Sequence, residues 1–146
     1  MAGTEGEHAV IYETEEDRVR QCDLLREFCA VFNLAFVQTP PLWLWDATLF
    51  RCGRVVGIAE CKVRKWKYNY GTLKIDRSKI DGLIQHGRAI LLVRITGPDF
   101  YVRAGIKLTE EKAARWRCSV VRRDDRNDPS DVDAGYEIPV GEFTAF

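Results

Sequence analysis

The feature that most constrains the fold is the run "VVGIAECKV" at residues 55–63, which is apolar except at Glu60 and Lys62 near its end. A strand with one wet face alternates apolar and polar residues, whereas a strand covered on both faces is apolar throughout. The run therefore predicts a central strand with other elements packed on both sides. A chain of 146 residues with 46% hydrophobic content suits one domain around a single core, and we expect that domain to span residues 1–146.

A helix is predicted before this strand. Apolar residues recur every three or four positions from Glu13 to Phe32, with Thr14 placed to cap the start and Asn33 to end it. We expect residues 1–11 to form a flexible tail, because they show no such period.

The rest of the chain predicts a mixed sheet flanked by helices, an α/β fold. Strands are expected at 34–39, 42–50, 89–95 and 99–106, helices at 76–87 and 109–117, an edge segment at 136–143, and loops at 65–74 and at the acidic stretch 124–133. The short turn "RCGR" joins 42–50 to the central strand as a β-hairpin.

Two carboxylates and a lysine fall where the central strand ends. Side chains alternate along a strand, so Glu60 and Lys62 share one face, and Asp46 on the hairpin partner lies near Glu60. Two carboxylates on one face suit Mg²⁺ or Mn²⁺, and a cation beside a lysine favours phosphodiester hydrolysis. The spacing by itself also occurs in unrelated chains, where such residues form a charge pair at a solvated strand end.

In this context the pattern resembles the PD-(D/E)XK nuclease superfamily, which has the restriction-endonuclease-like fold. The matching motifs are Trp45–Asp46 and Glu60–Lys62, and the predicted element order matches the αβββαβ core of that superfamily over about residues 13–103. Trp45 stands where these proteins often have a proline. The chain is most similar in character to small Holliday-junction resolvases and to phage or repair nucleases.

The resemblance implies a Mg²⁺- or Mn²⁺-dependent nuclease acting on DNA, an endonuclease more than an exonuclease. By that resemblance Asp46, Glu60 and the main-chain carbonyl of Cys61 hold the metal, and Lys62 positions or activates the water. The superfamily often adds a glutamate from the first helix. Helical spacing favours Glu15 over Glu16 for that role, because Glu15 shares a face with Val19 and Cys22.

A basic and aromatic segment follows the lysine of the motif. Such a segment suits nucleic acid, with cations on phosphates and rings on bases or sugars, although a solvated loop folded onto the core is the other interpretation. The candidate nucleic-acid-binding residues are Arg64, Lys65, Trp66, Lys67, Tyr68, Tyr70, Lys74, Arg77 and Gln85.

Composition bears on location and assembly. Five cysteines without a CxxC pair favour reduced thiols in the cytoplasm, and no apolar run approaches the length that spans a bilayer. Because cutting two strands in concert needs two active sites, we expect a homodimer, for which "LWLW", Trp116 and the terminal "YEIPVGEFTAF" offer apolar surface. The alternative function is a catalytically silent nucleic-acid-binding or assembly subunit with the same fold.

Overall fold

The structure is a computed structural model that describes residues 14–122 and 132–146. The helices are α1 (Glu15–Phe32), α2 (Arg77–His86) and α3 (Glu110–Ala113), followed near the end by a 3₁₀ turn (Val140–Glu142). The strands are β1 (Ala35–Gln38), β2 (Ala47–Arg51), β3 (Arg54–Lys65), β4 (Thr72–Asp76), β5 (Ala89–Thr96), β6 (Tyr101–Lys107), β7 (Arg117–Arg122), β8 (Val132–Pro139) and β9 (Thr144–Ala145). The predicted tail at 1–11 and residues 124–131 of the acidic loop lie outside the described residues.

Two sheets organise the chain. The larger has the order β1-β2-β3-β5-β6-β9, and the smaller has the order β4-β8-β7. In the larger sheet β3 pairs parallel with β5, and every other pairing is antiparallel. The predicted α/β class, with a mixed sheet flanked by helices, is confirmed.

Helix α1 begins and ends where the sequence predicts. The Thr14 side chain accepts from the Asp17 amide, and the Asp17 carboxylate accepts from the Thr14 amide, which together make a capping box. Asn33 closes the helix in the left-handed conformation, with φ of 55°.

Both faces of the central strands are covered, as the apolar run predicts. Ala59 and Cys61 pack in a core with α1, whereas Ile58 packs in a larger core with α2 and the small sheet. Leu91 and Leu92 of β5 are fully buried on opposite sides, and burying each contributes about 1.5–3 kcal/mol. The odd and even positions of β3 therefore face different layers.

The predicted strand at 42–50 is shorter in the structure, because β2 begins only at Ala47. Pro40 and Pro41 interrupt the chain before it, and Leu42 adopts φ of 66°. Leu42, Trp43 and Leu44 are 61%, 52% and 38% exposed, so three of the four residues of "LWLW" lie on the surface.

The small sheet was not predicted. Residues 72–76, assigned to a loop, form β4, and β8 is the central strand of the small sheet, where 136–143 was expected at an edge. Pro139 is tolerated because it is the last residue of β8. The predicted helix at 109–117 stops at Ala113, and β7 begins at Arg117. Residues 132 and 133, expected in the acidic loop, belong to β8.

Within the described residues, no helix is both long and apolar enough to cross a membrane. All five cysteines are free thiols in the structure.

Candidate active site

Asp46 is held at the point where β2 approaches β3. Its amide donates to the carbonyl of Ala59 at 2.9 Å, and its Oδ2 accepts from the amide of Cys61 at 2.7 Å. The amide of Thr39 in turn donates to the Asp46 carbonyl at 2.9 Å. The hairpin therefore places the Asp46 carboxylate against the backbone of β3 at Cys61, next to Glu60 in sequence, where it was predicted to lie.

Glu60 occupies a position on β3 that an apolar residue would be expected to fill. It is 3% exposed, on the face of the strand that carries buried Ile58. Its Oε2 lies 3.5 Å from the Lys62 Nζ, and its Oε1 has no hydrogen-bond partner within the described part of the chain. A buried charged group with an unpartnered oxygen is costly, which favours a ligand at this point.

The two carboxyl groups strongly affect one another. Burial, and then the charge of Asp46, raise the pKa of Glu60 to about 7, against the lowering effect of Lys62. Burial also raises the pKa of Asp46, although the Cys61 amide and Lys62 oppose this shift. The charge state of each carboxyl group therefore depends on that of the other.

Lys79 completes the cluster and was missed by the sequence analysis. It lies on α2, and its Nζ is 3.5 Å from the Glu60 Oε2, equal to the distance from Lys62. The sequence did carry a signal for Lys79. It stands at the start of a helix that connects two parallel strands, and such a helix begins at the end of the sheet where the first of those strands finishes. On this helix the sequence prediction fell on Gln85 instead.

The first helix does not bring Glu15 to the site. Glu15 and Glu16 are exposed, and Val19, which shares a face with Glu15, is half exposed. The buried face of α1 instead runs through Gln21 and Leu25, and Asp17 with Gln21 lines a cleft beside Lys62. The expectation for Glu15 fails because the helix is rotated away from the face that spacing suggested.

The segment after Lys62 begins as strand and continues as an aromatic loop. Arg64 and Lys65 extend β3, and the Trp66 amide donates to the Thr96 carbonyl at 2.8 Å. The Trp66 ring packs on the core and contacts Tyr70 at a centroid distance of 5.2 Å.

The outer part of this loop is open. Tyr68 and Tyr70 are 64% and 58% exposed, with ring centroids 6.3 Å apart, and Lys67 between Trp66 and Tyr68 is exposed as well. Trp66 therefore folds back onto the core, as the alternative interpretation of this loop expects, whereas the rings of Tyr68 and Tyr70 are exposed to solvent.

Three of the residues predicted to bind nucleic acid lie outside this loop, namely Lys74, Arg77 and Gln85. Lys74 is on β4 opposite Glu137 of β8, in the small sheet. Arg77 pairs with Asp81 at 3.5 Å, and it lines a separate cavity together with Gln85. These residues belong to the α2 and small-sheet side, because β4 is a strand and not a continuation of the loop.

The oxygen donors form a small set. Among the described residues, no three His, Cys, Asp or Glu side chains group together as metal ligands. The Cys61 carbonyl is a further donor on the Asp46 side of β3, because a residue in a strand turns its N–H and C=O to the same neighbour and the Cys61 N–H binds Asp46. Two carboxylates and one carbonyl match what Mg²⁺ or Mn²⁺ takes from a protein when waters complete the shell.

The chain is similar to known proteins in sequence and in fold. The sequence matches the family model described as "Phage putative PDDEXK endonuclease" over residues 8–146. No curated protein matches the sequence. Among solved structures, the Holliday junction resolvase Hjc from the archaeal hyperthermophile Archaeoglobus fulgidus aligns with a TM-score of 0.44 and 10% identity, covering 85% of this chain and 87% of that chain.

Proposed function

We propose, given that the chain belongs to the phage PDDEXK endonuclease family, that it hydrolyses phosphodiester bonds in DNA with the help of Mg²⁺ or Mn²⁺. The observation that carries this proposal is the buried Glu60 beside the partly buried Asp46, with two lysines near one Glu60 oxygen. Family membership also supports the superfamily resemblance drawn from the "WD" and "ECK" motifs.

The residues of the site fit a divalent cation. Asp46, Glu60 and the Cys61 carbonyl would hold it, and the Glu60 Oε1 is a buried donor without a partner in the described chain. A bound cation of this type lowers the pKa of a water ligand and neutralises charge on a phosphoryl group.

The lysines act on the substrate side of this arrangement. Lys62 and Lys79 each place an ammonium group 3.5 Å from Glu60, where it can hold a water or bind a phosphate oxygen. Because the site is buried, these charges act through a lower dielectric than in bulk water and stabilise developing negative charge more strongly. Lys62 borders a cleft, so we assign it the role of positioning the attacking water.

DNA is the proposed substrate, and the aromatic loop supports that choice. Lys67 supplies a cation for phosphates, and the exposed rings of Tyr68 and Tyr70 suit stacking on bases or sugars. The family description supports internal cleavage, so we propose an endonuclease.

A second copy of the chain is the proposed protein partner. Trp116 and Phe143, which the sequence offered as interface residues, are buried in the core. Leu42 and Trp43 remain on the surface just before Asp46, so this turn is where we place a self-association surface.

A cleavage assay on closed circular plasmid tests the function. Wild type should nick or linearise the plasmid with Mg²⁺ or Mn²⁺ and should stop when EDTA removes the cation. Circular DNA offers no ends, so its cleavage reports an endonuclease. Asp46→Asn should lose the activity and bind Mg²⁺ more weakly in calorimetry, whereas Glu16→Gln, a charge change on the exposed face of α1, should retain both. If wild type binds DNA but leaves it intact with either ion, the silent binding subunit is the better description.

A further inference from the structure

A cleft of about 800 Å³ lies between the first half of α1 and the later halves of β3 and β5. Its described lining carries one carboxylate, Asp17, against five basic side chains, which are Arg20, Lys62, Arg64, Lys65 and Arg94. Cavities of ~300–1,000 Å³ hold one drug-sized molecule, so this cleft has room for a short piece of a single nucleic-acid backbone and not for a duplex. The imbalance of charge points to an anionic occupant.

The cleft is continuous with the candidate active site. Lys62 lines it, and the Nζ of the same residue lies 3.5 Å from the Glu60 Oε2. Arg64 is the next basic residue along β3, and the carboxylates of both Glu60 and Asp17 act on its guanidinium. A chain of cations thus leads from the buried carboxylates toward α1.

Most of these cations are available to a ligand. Arg64 and Lys65 have no carboxylate within salt-bridge distance among the described residues, and the Arg64 Nη1 donates only to the neighbouring Val63 carbonyl, at 3.2 Å. Arg20 pairs with Glu16 at 3.2 Å and with Asp17 at 3.4 Å on its own helix, and both are exposed contacts of the weak surface type that a phosphate can displace. Arg94 differs, because Glu27 holds it in place.

Gln21 provides an independent indication that the cleft binds something. It lines the cleft one residue after Arg20, and its Oε1 is buried without a hydrogen-bond partner in the described chain. Buried amide groups are normally paired, and a side-chain amide both donates and accepts. A bound phosphate would accept from the Gln21 Nε2, and an ordered water on that phosphate would donate to the unpartnered Oε1.

We propose that this cleft is the track of the DNA backbone that leads to the scissile phosphate. Arg20 and Gln21 of α1 contact phosphates on one wall, and Arg64 and Lys65 of β3 contact them on the other. The inference rests on the proposed function and adds to it the side of the sheet on which the strand lies. The basic residues of the opposite side, Lys74 and Arg77, then lie off the track.

The test is DNA binding measured by fluorescence anisotropy over a series of salt concentrations, in EDTA so that no cleavage occurs. Arg20→Gln with Lys65→Gln should weaken binding and reduce the slope of log Kd against log salt by about two, one for each lost phosphate contact. The matched control, Arg54→Gln with Lys107→Gln, removes the same two charges from the other end of β3 and of the sheet and should leave the slope unchanged. Arg20→Lys with Lys65→Arg should restore it.

Gln21→Glu changes no volume and adds a carboxylate to the cleft, so it should also weaken binding. The proposal is overturned if the cleft variants bind with the wild-type slope. It is also overturned if Lys74→Gln with Arg77→Gln reduces the slope and the cleft variants do not. Plasmid cleavage by wild type separates this failure from that of the proposed function. A protein that cuts DNA while its cleft variants bind normally is a nuclease with a different track, and one that neither binds nor cuts overturns both.

Discussion

Replacement of Glu60 by glutamine tests the charge state of the site while keeping its shape. Burial first, and the charge of Asp46 second, raise the pKa of Glu60 from 4.5 to about 7. A carboxyl group whose pKa is raised by folding holds its proton more tightly in the folded state than in the unfolded chain, so its ionisation destabilises the fold. The loss begins as the pH rises above 4.5, where the unfolded group ionises, and it is complete above pH 7.

The size of this loss follows from 1.36 kcal/mol per unit of pKa. A change from 4.5 to about 7 corresponds to about 3 kcal/mol, and the side chain is only 3% exposed, so solvent screens little of it. Glutamine does not ionise. The unfolding free energy of Glu60→Gln minus that of wild type should therefore increase by about 3 kcal/mol between pH 4.5 and about pH 8.

The measurement is urea unfolding at a series of pH values with EDTA present, so that no cation occupies the site. Glu16→Gln, whose side chain is 82% exposed, is the control for loss of a carboxylate in general. A difference between Glu60→Gln and wild type that stays constant across this pH range would refute the reasoning, since it would mean that Glu60 titrates alike in both states.

Two further outcomes are expected. Lys79→Met removes one of the two ammonium groups near Glu60 and should move the pH profile of plasmid cleavage to higher pH, with partial recovery in Lys79→Arg; an unchanged profile would separate Lys79 from the chemistry. Light scattering at micromolar concentration should give about twice the 16.8 kDa chain mass, falling to one chain mass for Leu42→Glu with Trp43→Glu, and a wild-type monomer with or without DNA would contradict the dimer.

The elements that the sequence predicted well carry their signals locally. β3 is covered on both faces, and its own apolar composition from Val55 to Val63 predicts this. Helix α1 is likewise bounded by residues that cap it directly, Thr14 and Asn33. Asp46 and Glu60 come together because a hairpin joins neighbouring strands, and this too follows from local order.

The small sheet depends on contacts that no local window contains. β4 pairs with β8 in the register Ile75 to Tyr136, so its partner lies about 60 residues further along the chain. Without that partner, residues 72–76 show only a short alternation after a glycine, which is equally typical of a loop. The rotation of α1 that brings Gln21, and not Glu15, to the cleft is also set by packing, because the acidic first turn satisfies the helix dipole in any rotation.

The four charged groups of the site form a balanced set, and this balance bears on how the site meets its substrate. With both carboxyl groups ionised, Asp46 and Glu60 carry two negative charges, and Lys62 and Lys79 carry two positive charges that partly offset their burial. On the proposed function, a divalent cation held by the carboxylates leaves the set with an excess of two positive charges. The lysines then no longer serve to neutralise Glu60 and are available for an anionic phosphodiester. On this proposal, the same two lysines stabilise the ionised carboxylates in the free protein and bind the substrate once the cation is present.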